Sequence, residues 1–227
     1  MSESLNHLLA DLHAQRVATW EPAALQINID QRQRLVDDAK AADFVKVGDA
    51  VEPFTLLPVE GGSLSRDELL AKGPAVLIFF RFAGCPACNI ALPYYQRQLY
   101  GQLHALGVPL VAVSPQVPER LIEIKTRHNL ELQVASDPDN QLGRRLGILY
   151  SFDEASRQAA LAKGNSIGET TGTGTWELPQ PTVVVIARDA TVAFAEVSPD
   201  WLVRSEAAPI LRAVEHLLGQ TPVQIAI

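Results

Sequence analysis

Cys85 and Cys88 are the only two cysteines in 227 residues, and only Pro86-Ala87 separates them. Two thiols at that spacing can cycle with a disulfide, and the thiolate is the form that attacks. Immediately upstream runs the apolar stretch Ala75-Val76-Leu77-Ile78-Phe79-Phe80, opened by Gly73-Pro74. Immediately downstream a long helical pattern begins. A buried strand that hands Cys-x-x-Cys to a helix N-terminus makes a redox-active pair. The partial positive charge and free N–H groups of the helix end stabilise a thiolate there.

Other uses of the pair fit poorly. A structural zinc site takes four Cys or His ligands, and His7, His13, His104, His128 and His216 have no spacing that would complete one. Covalent haem attachment needs Cys-x-x-Cys-His, whereas the next residue is Asn89. A purely structural disulfide this local would close almost no loop. Two accidental core cysteines fit this strand-to-helix junction less well, and redox chemistry is favoured.

Two arginines are candidates to act on the sulfurs. Arg81 lies at the end of the apolar strand, and Arg204 sits in Trp201-Leu202-Val203-Arg204-Ser205-Glu206. A guanidinium within reach would depress a thiol pKa and hold a peroxide oxygen. An arginine taken alone is most often a solvated surface group, but one at a buried strand's end needs a partner. Pro93 lies inside the helix that starts at the cysteines. It removes a backbone hydrogen bond and kinks the helix, either to fit the sheet or to orient the first turn.

The elements that must position these residues follow from pattern. Leu5, Leu8, Leu9 and Leu12 mark an amphipathic helix, Glu21-Pro22 breaks it, and a second, polar helix is expected from Gln31 to Ala42. This N-terminal arm, residues 1–46, can pack on the domain that follows or serve a homodimer contact. Residues 47–227 form the second unit. A hairpin is expected across Gly61-Gly62, between strands near Phe54–Leu57 and Ser63, then a helical turn over Arg66–Lys72. Strand Ala75–Arg81, helix Pro86–Leu106, strand Leu110–Ser114, helix Pro118–His128, a strand near Gln133–Ser136 and helix Asn140–Leu146 then alternate. Such alternation predicts an α/β fold with a partly parallel sheet. Beyond Tyr150 the pattern lapses into an inserted helix, Asp153–Lys163, and a Gly/Thr/Ser-rich stretch, Gly164–Thr175, that reads as a mobile surface loop. A hairpin of Thr182–Ile186 with Thr191–Glu196 and a helix over Glu206–Leu218 complete the chain.

Composition excludes several classes. A net charge of −7 argues against nucleic-acid binding, which needs a basic face. No run of 18 apolar residues exists, so no helix is expected to span a membrane. The first residues lack the basic and apolar regions of a secretory leader. A cytoplasmic location is therefore expected, where a cysteine pair is more often catalytic than structural.

With these residues set out, the chain resembles the peroxiredoxin-like branch of the alkyl hydroperoxide reductase/thiol-specific antioxidant (AhpC/TSA) family, of thioredoxin-like fold. The resemblance runs from about Val47 to Leu218. It rests on Gly48-Asp49…Pro53-Phe54, Phe80-Arg81…Cys85-Pro86-Ala87-Cys88-Asn89, Val113-Ser114-Pro115-Gln116, Ser136-Asp137, Trp176-Glu177-Leu178-Pro179 and Trp201…Arg204. Laid on the peroxiredoxin pattern Pro-x-x-x-Thr-x-x-Cys, the peroxide-attacking cysteine falls on Cys88. The threonine falls on Cys85, the proline on Arg81, and the family's arginine near Pro181, which leaves Arg204 to replace it. Laid on thioredoxins, Cys85 becomes the attacking sulfur, Pro93 matches the helix proline, and Pro181-Thr182 matches the cis-proline segment. The buried aspartate of thioredoxins falls on Phe79. This second overlay favours a cis bond at Gln180-Pro181.

The resemblance implies a thiol-dependent peroxidase acting on hydroperoxides through a Cys85/Cys88 dithiol–disulfide cycle. No metal or organic cofactor is implied, and a thioredoxin-like reductant would close the cycle. The alternatives are a thiol–disulfide oxidoreductase led by Cys85, and a redox sensor whose disulfide state alters the arm.

Overall fold

The computed structural model describes residues 3–219. It opens on α1 (Leu5–Thr19), whose Leu5 and Leu9 are fully buried. Next comes α2 (Pro22–Asp37), well upstream of the expected Gln31–Ala42. The reason lies in Pro22. It ends α1 but sits in the first turn of α2, where its missing N–H and fixed φ cost nothing.

The hairpin forms as expected from β1 (Thr55–Pro58) and β2 (Leu64–Ser65), followed by α3 (Arg66–Leu70). β3 (Ala75–Phe79) leads to the cysteine helix α4 (Pro86–Tyr95). The single helix expected to Leu106 is instead interrupted by a wide π-helical turn at Gln96–Tyr100 before α5 (Gly101–Ala105). Pro93 has no N–H to bond Asn89, and the helix resumes through this wider turn. Then follow β4 (Leu110–Ser114), α6 (Pro118–His128), β5 (Gln133–Ser136) and α7 (Gln141–Arg145).

The region where pattern lapses is ordered. It holds β6 (Leu149–Ser151), α8 (Glu154–Leu161), α9 (Ile167–Thr171) and β7 (Glu177–Pro179), with β6 and β7 pairing antiparallel. The stretch expected as a mobile surface loop is pinned instead. Thr171 is fully buried, its carbonyl accepts from Val117 N–H at 2.9 Å, and Gln116 Nε2 donates to Thr170 O at 3.0 Å. Gly172, at φ +80°, lies so close to Val117 that a Cβ there would sit 2.8 Å from a methyl. The chain ends with β8 (Thr182–Ile186), β9 (Val192–Val197) and α10 (Ala207–Gly219).

Seven strands form one mixed sheet in the order β2-β1-β5-β4-β3-β8-β9. β3, β4 and β5 run parallel, and β8 lies antiparallel to β3. Helices cover both faces, which is why β3, β4 and β8 read as unbroken apolar runs rather than alternating ones. Within β3, Val76 and Ile78 join the core beneath α1, α4, α6 and α10. Ala75, Leu77 and Phe79 join the core on the other face. The cysteines belong to the first of these cores. The fold is thioredoxin-like, a mixed sheet flanked by helices. No helix among the described residues is long and apolar enough to cross a membrane.

Candidate active site

The turn from β3 into α4 is held by its neighbours. Ser114 Oγ donates to Arg81 O at 3.0 Å, and Ala83 N–H donates to the side-chain oxygen of Gln116 at 2.8 Å. Asn89 Nδ2 spans back to the carbonyls of Ala83 and Cys85, at 2.7 and 2.8 Å. Its own oxygen accepts from Arg127 at 2.8 Å. Cys85 is the residue that caps α4, and Cys88 sits in its first turn.

Both cysteines are free and buried, with sulfurs 2.8 Å apart. A disulfide would need them to close to about 2.05 Å. Arg204 Nη2 donates to Cys88 Sγ at 3.4 Å. Burial pushes the Cys88 thiol up. The hydrogen bond from Cys85 and the Arg204 charge outweigh this, with help from Arg81, and the net direction is well below the usual thiol value. Burial and the neighbouring Cys88 charge push Cys85 well above it. These opposite directions favour a thiolate on Cys88 over one on Cys85.

Arg204 is set by long-range contacts. Its backbone N–H and C=O pair with the side chain of Asn6 on α1 at 2.9 and 2.8 Å. Glu206 bonds the first N–H groups of α1, at Leu5 and Asn6, and the hydroxyl of Tyr94 on α4. Arg81 is 7% exposed and has no ion pair among the described residues; its Nε lacks any partner there. Its guanidinium lies over the rings of Trp201, at 4.9 Å, and Phe152, at 5.6 Å. Its charge is felt by both cysteines.

Of the residues singled out from sequence, Cys85, Cys88, Arg81 and Arg204 come together. Pro181 lies beside Arg204, lining the same narrow gap. Among the described residues no peptide bond is cis, so Gln180-Pro181 is trans, contrary to expectation. The segment is locked as an extended link from β7 to β8: Gln180 N–H donates to Ile148 O at 2.8 Å, and Pro181 O accepts from Ser198 N–H at 2.9 Å. Extended backbone is what a residue before proline prefers. The same gap is lined by Tyr95 and Thr182.

Three residues near the sulfurs escaped the sequence reading. Tyr150 is buried with its hydroxyl unpaired among the described residues, and its phenol interacts electrostatically with Arg81 and both cysteines. Arg16 and Gln31, from the arm, line a cavity that reaches Cys85 but not Cys88. Arg16 left a signal: it continues the stripe Leu5, Leu9, Leu12 of α1, a charge on an apolar face. Tyr150 left none, because its strand has no pattern.

A central strand that ends in a dithiol at a helix N-terminus, on a mixed sheet, defines the thioredoxin-like class of dithiol proteins. The AhpC/TSA family model matches residues 47–195, more than half of the chain, and the chain belongs to the AhpC/TSA family. Over 110 residues it is 28% identical to a Haemophilus influenzae protein described as a peroxiredoxin, bcp, covering 46% of this chain and 66% of that one. Over 95 residues it is 30% identical to the thiol-disulfide oxidoreductase ResA of Halalkalibacterium halodurans, covering 40% of this chain and 51% of that one. The chain thus spans between half and two thirds of these relatives. Among solved structures, the peroxidoxin BcpB of Mycobacterium tuberculosis superposes with a TM-score of 0.57 at 19% identity, covering 78% of this chain and 98% of that one.

Proposed function

We propose that this protein is a thiol-dependent peroxidase that reduces hydroperoxides through Cys88 and Cys85. The observation that carries the reading is the ordered triplet Arg204–Cys88–Cys85, with contacts of 3.4 and 2.8 Å. Arg204 holds the thiolate on the inner sulfur, and the outer sulfur carries the proton and faces the cavity.

The organic part of a hydroperoxide lies in the cavity, and rotation of the Cys85 side chain admits its distal oxygen to Cys88. The Cys88 thiolate attacks that oxygen, and the O–O bond breaks. The departing alkoxide takes the Cys85 proton and leaves as an alcohol. Cys88 is now a sulfenic acid and Cys85 a thiolate 2.8 Å away. Cys85 attacks the Cys88 sulfur and expels hydroxide, which a solvent proton converts to water. The resulting disulfide is reduced by a thioredoxin-like dithiol, which suits the reducing cytoplasm.

The test is the rate at which Cys85→Ser protein, with Cys88 its only thiol, is sulfenylated by hydrogen peroxide and cumene hydroperoxide. Rapid stoichiometric modification, read by intact mass, supports the reading. A rate no faster than free cysteine refutes it. A second reading, thiol–disulfide exchange led by Cys85, is favoured by the cavity meeting Cys85 alone. Under it, Cys88→Ser protein traps a mixed disulfide on Cys85. Failure to reduce insulin or glutathione disulfide counts against it.

A further inference from the structure

The cavity over Cys85 has a lining that peroxide chemistry does not use. Its volume is about 240 Å³, below the usual 300–1,000 Å³ of small-molecule sites. α1 and α2 form one wall, α8 another, and Cys85, Arg81 and Trp201 the floor. Four donors in this lining lack any partner among the described residues: Arg16 Nη1, Gln31 Nε2, Arg81 Nε and Trp201 Nε1. Their residues are 5%, 5%, 7% and 2% exposed. Asn28 Oδ1 is the one unpaired buried acceptor among the lining residues described.

The charges do not balance. Arg32 is neutralised by Asp200 through two bonds of 2.7 Å, and Arg204 by the Cys88 thiolate. Arg16 and Arg81 have no ion pair among the described residues. Each instead lies over the Trp201 ring, at 5.3 and 4.9 Å. A cation over an aromatic face recovers only part of what burying an unpaired ion costs. Two guanidinium groups with free N–H donors are complementary to a planar, acceptor-only, anionic group, and carboxylate is the natural match. The rest of the wall is mostly apolar, with Trp20, Ile27, Phe82, Phe152 and Ile167, beside Ser156, Asn165 and Lys163. In a chain of net charge −7, which repels anions at large, a buried cationic pocket acts as a selective device.

We infer that this cavity binds the carboxylate of a small organic hydroperoxide with an aromatic or short alkyl body, through Arg16 and Arg81 with Gln31 and the Trp201 indole. The N-terminal arm is then the specificity element, because it supplies Arg16 and Gln31. This inference rests on the peroxidase reading for its chemistry, but its binding half stands apart from it.

The test uses the full-length reduced protein and a matched pair, cumene hydroperoxide and its para-carboxylate. Their peroxide groups are identical. The expected result is a kcat/KM for the carboxylate about tenfold or more above that for the neutral compound, the size of one or two charge-assisted hydrogen bonds. Arg16→Gln should bring that ratio close to one, and Arg16→Lys should restore part of it. A purely structural role for Arg16 would lower both rates together and keep the ratio, which overturns the inference. If Arg16→Gln does not fold, Gln31→Leu must still lower the ratio. In parallel, binding of unreactive 4-isopropylbenzoate and 4-isopropylbenzyl alcohol is measured by calorimetry. Selective binding of the benzoate without turnover of any hydroperoxide upholds the anion site and refutes the peroxidase. Equal turnover of the matched pair, with no selective binding, refutes the anion site and leaves the peroxidase standing.

Discussion

Replacing Arg204 with Gln should raise the pKa of the Cys88 thiol. Arg204 is 3% exposed and its Nη2 lies 3.4 Å from the sulfur. At that distance, with an effective dielectric near 20, the pair attraction is about 5 kcal/mol. Counting only a charge-assisted hydrogen bond gives about 1.5–3 kcal/mol. Arg81 stays in place as a second charge, so the Cys88 thiol pKa should rise by part of this attraction. The assay is the thiolate ultraviolet absorbance as a function of pH, in a Cys85→Ser background so that one thiol titrates. If the proposed peroxidase reading holds, peroxide consumption by the native protein should depend less on pH near neutrality than that of the variant. The variant's rate should climb with pH until it passes the raised pKa. Arg204→Lys keeps the charge and should recover part of the shift, while melting curves report whether the fold survives. A titration that moves by less than about half a unit would refute the assignment of Arg204 as the group that holds the thiolate.

Three further outcomes are expected. Burial pushes the Tyr150 phenol up to about 12, against the opposing charge of Arg81, so it is neutral at pH 7 and its hydroxyl has no partner among the described residues; Tyr150→Phe should leave thermal stability unchanged or raise it, and a loss above about 1 kcal/mol would show that the hydroxyl is bonded in solution. Burial raises the Glu206 carboxyl, but the N–H groups of Asn6 and Leu5 and the hydroxyls of Tyr94 and Ser4 bring it down to about 2. Its folded pKa is depressed, so the stability it adds is present above the unfolded value, about 4.3, and is lost as pH falls toward 2; acid unfolding of Glu206→Gln should show a weaker pH dependence over that window. Leu9, fully buried from the arm, should cost about 2–5 kcal/mol when cut to Ala, and a denaturant midpoint that does not move would show that α1 is not part of the cooperative core.

Much of this protein is legible at short range along the chain. The run Ala75–Phe80, the two cysteines and the helical pattern after them fall within one continuous segment. Strand propensity, helix capping and the thiol pair are therefore all written locally. The same holds for β4, α6 and β5, whose bounds match the expected ones residue for residue. Short-range patterns also explain the misses. β6 and β7 are three residues each, too short for a period, and each exists only because the other pairs with it. Pro22 could be read as a stop or a start, and only the chain after it decides.

The site itself was half determined by sequence. Composition and spacing alone established that a dithiol would stand at a helix N-terminus and that Arg81 and Arg204 were the cations to watch. Only tertiary structure sets which sulfur the nearby cation favours as thiolate. Arg204 lies 116 residues from Cys88, and its reach to that sulfur depends on Asn6 of the arm gripping its backbone. It also held Pro181 in a trans, hydrogen-bonded segment, with its carbonyl accepting from Ser198 N–H. Arg16 and Gln31 came to the cavity for the same reason, since the burial of Leu5 and Leu9 docks α1. Proton sharing and charge pairing act over a few ångströms, and only the folded chain sets distances on that scale between residues so far apart in sequence.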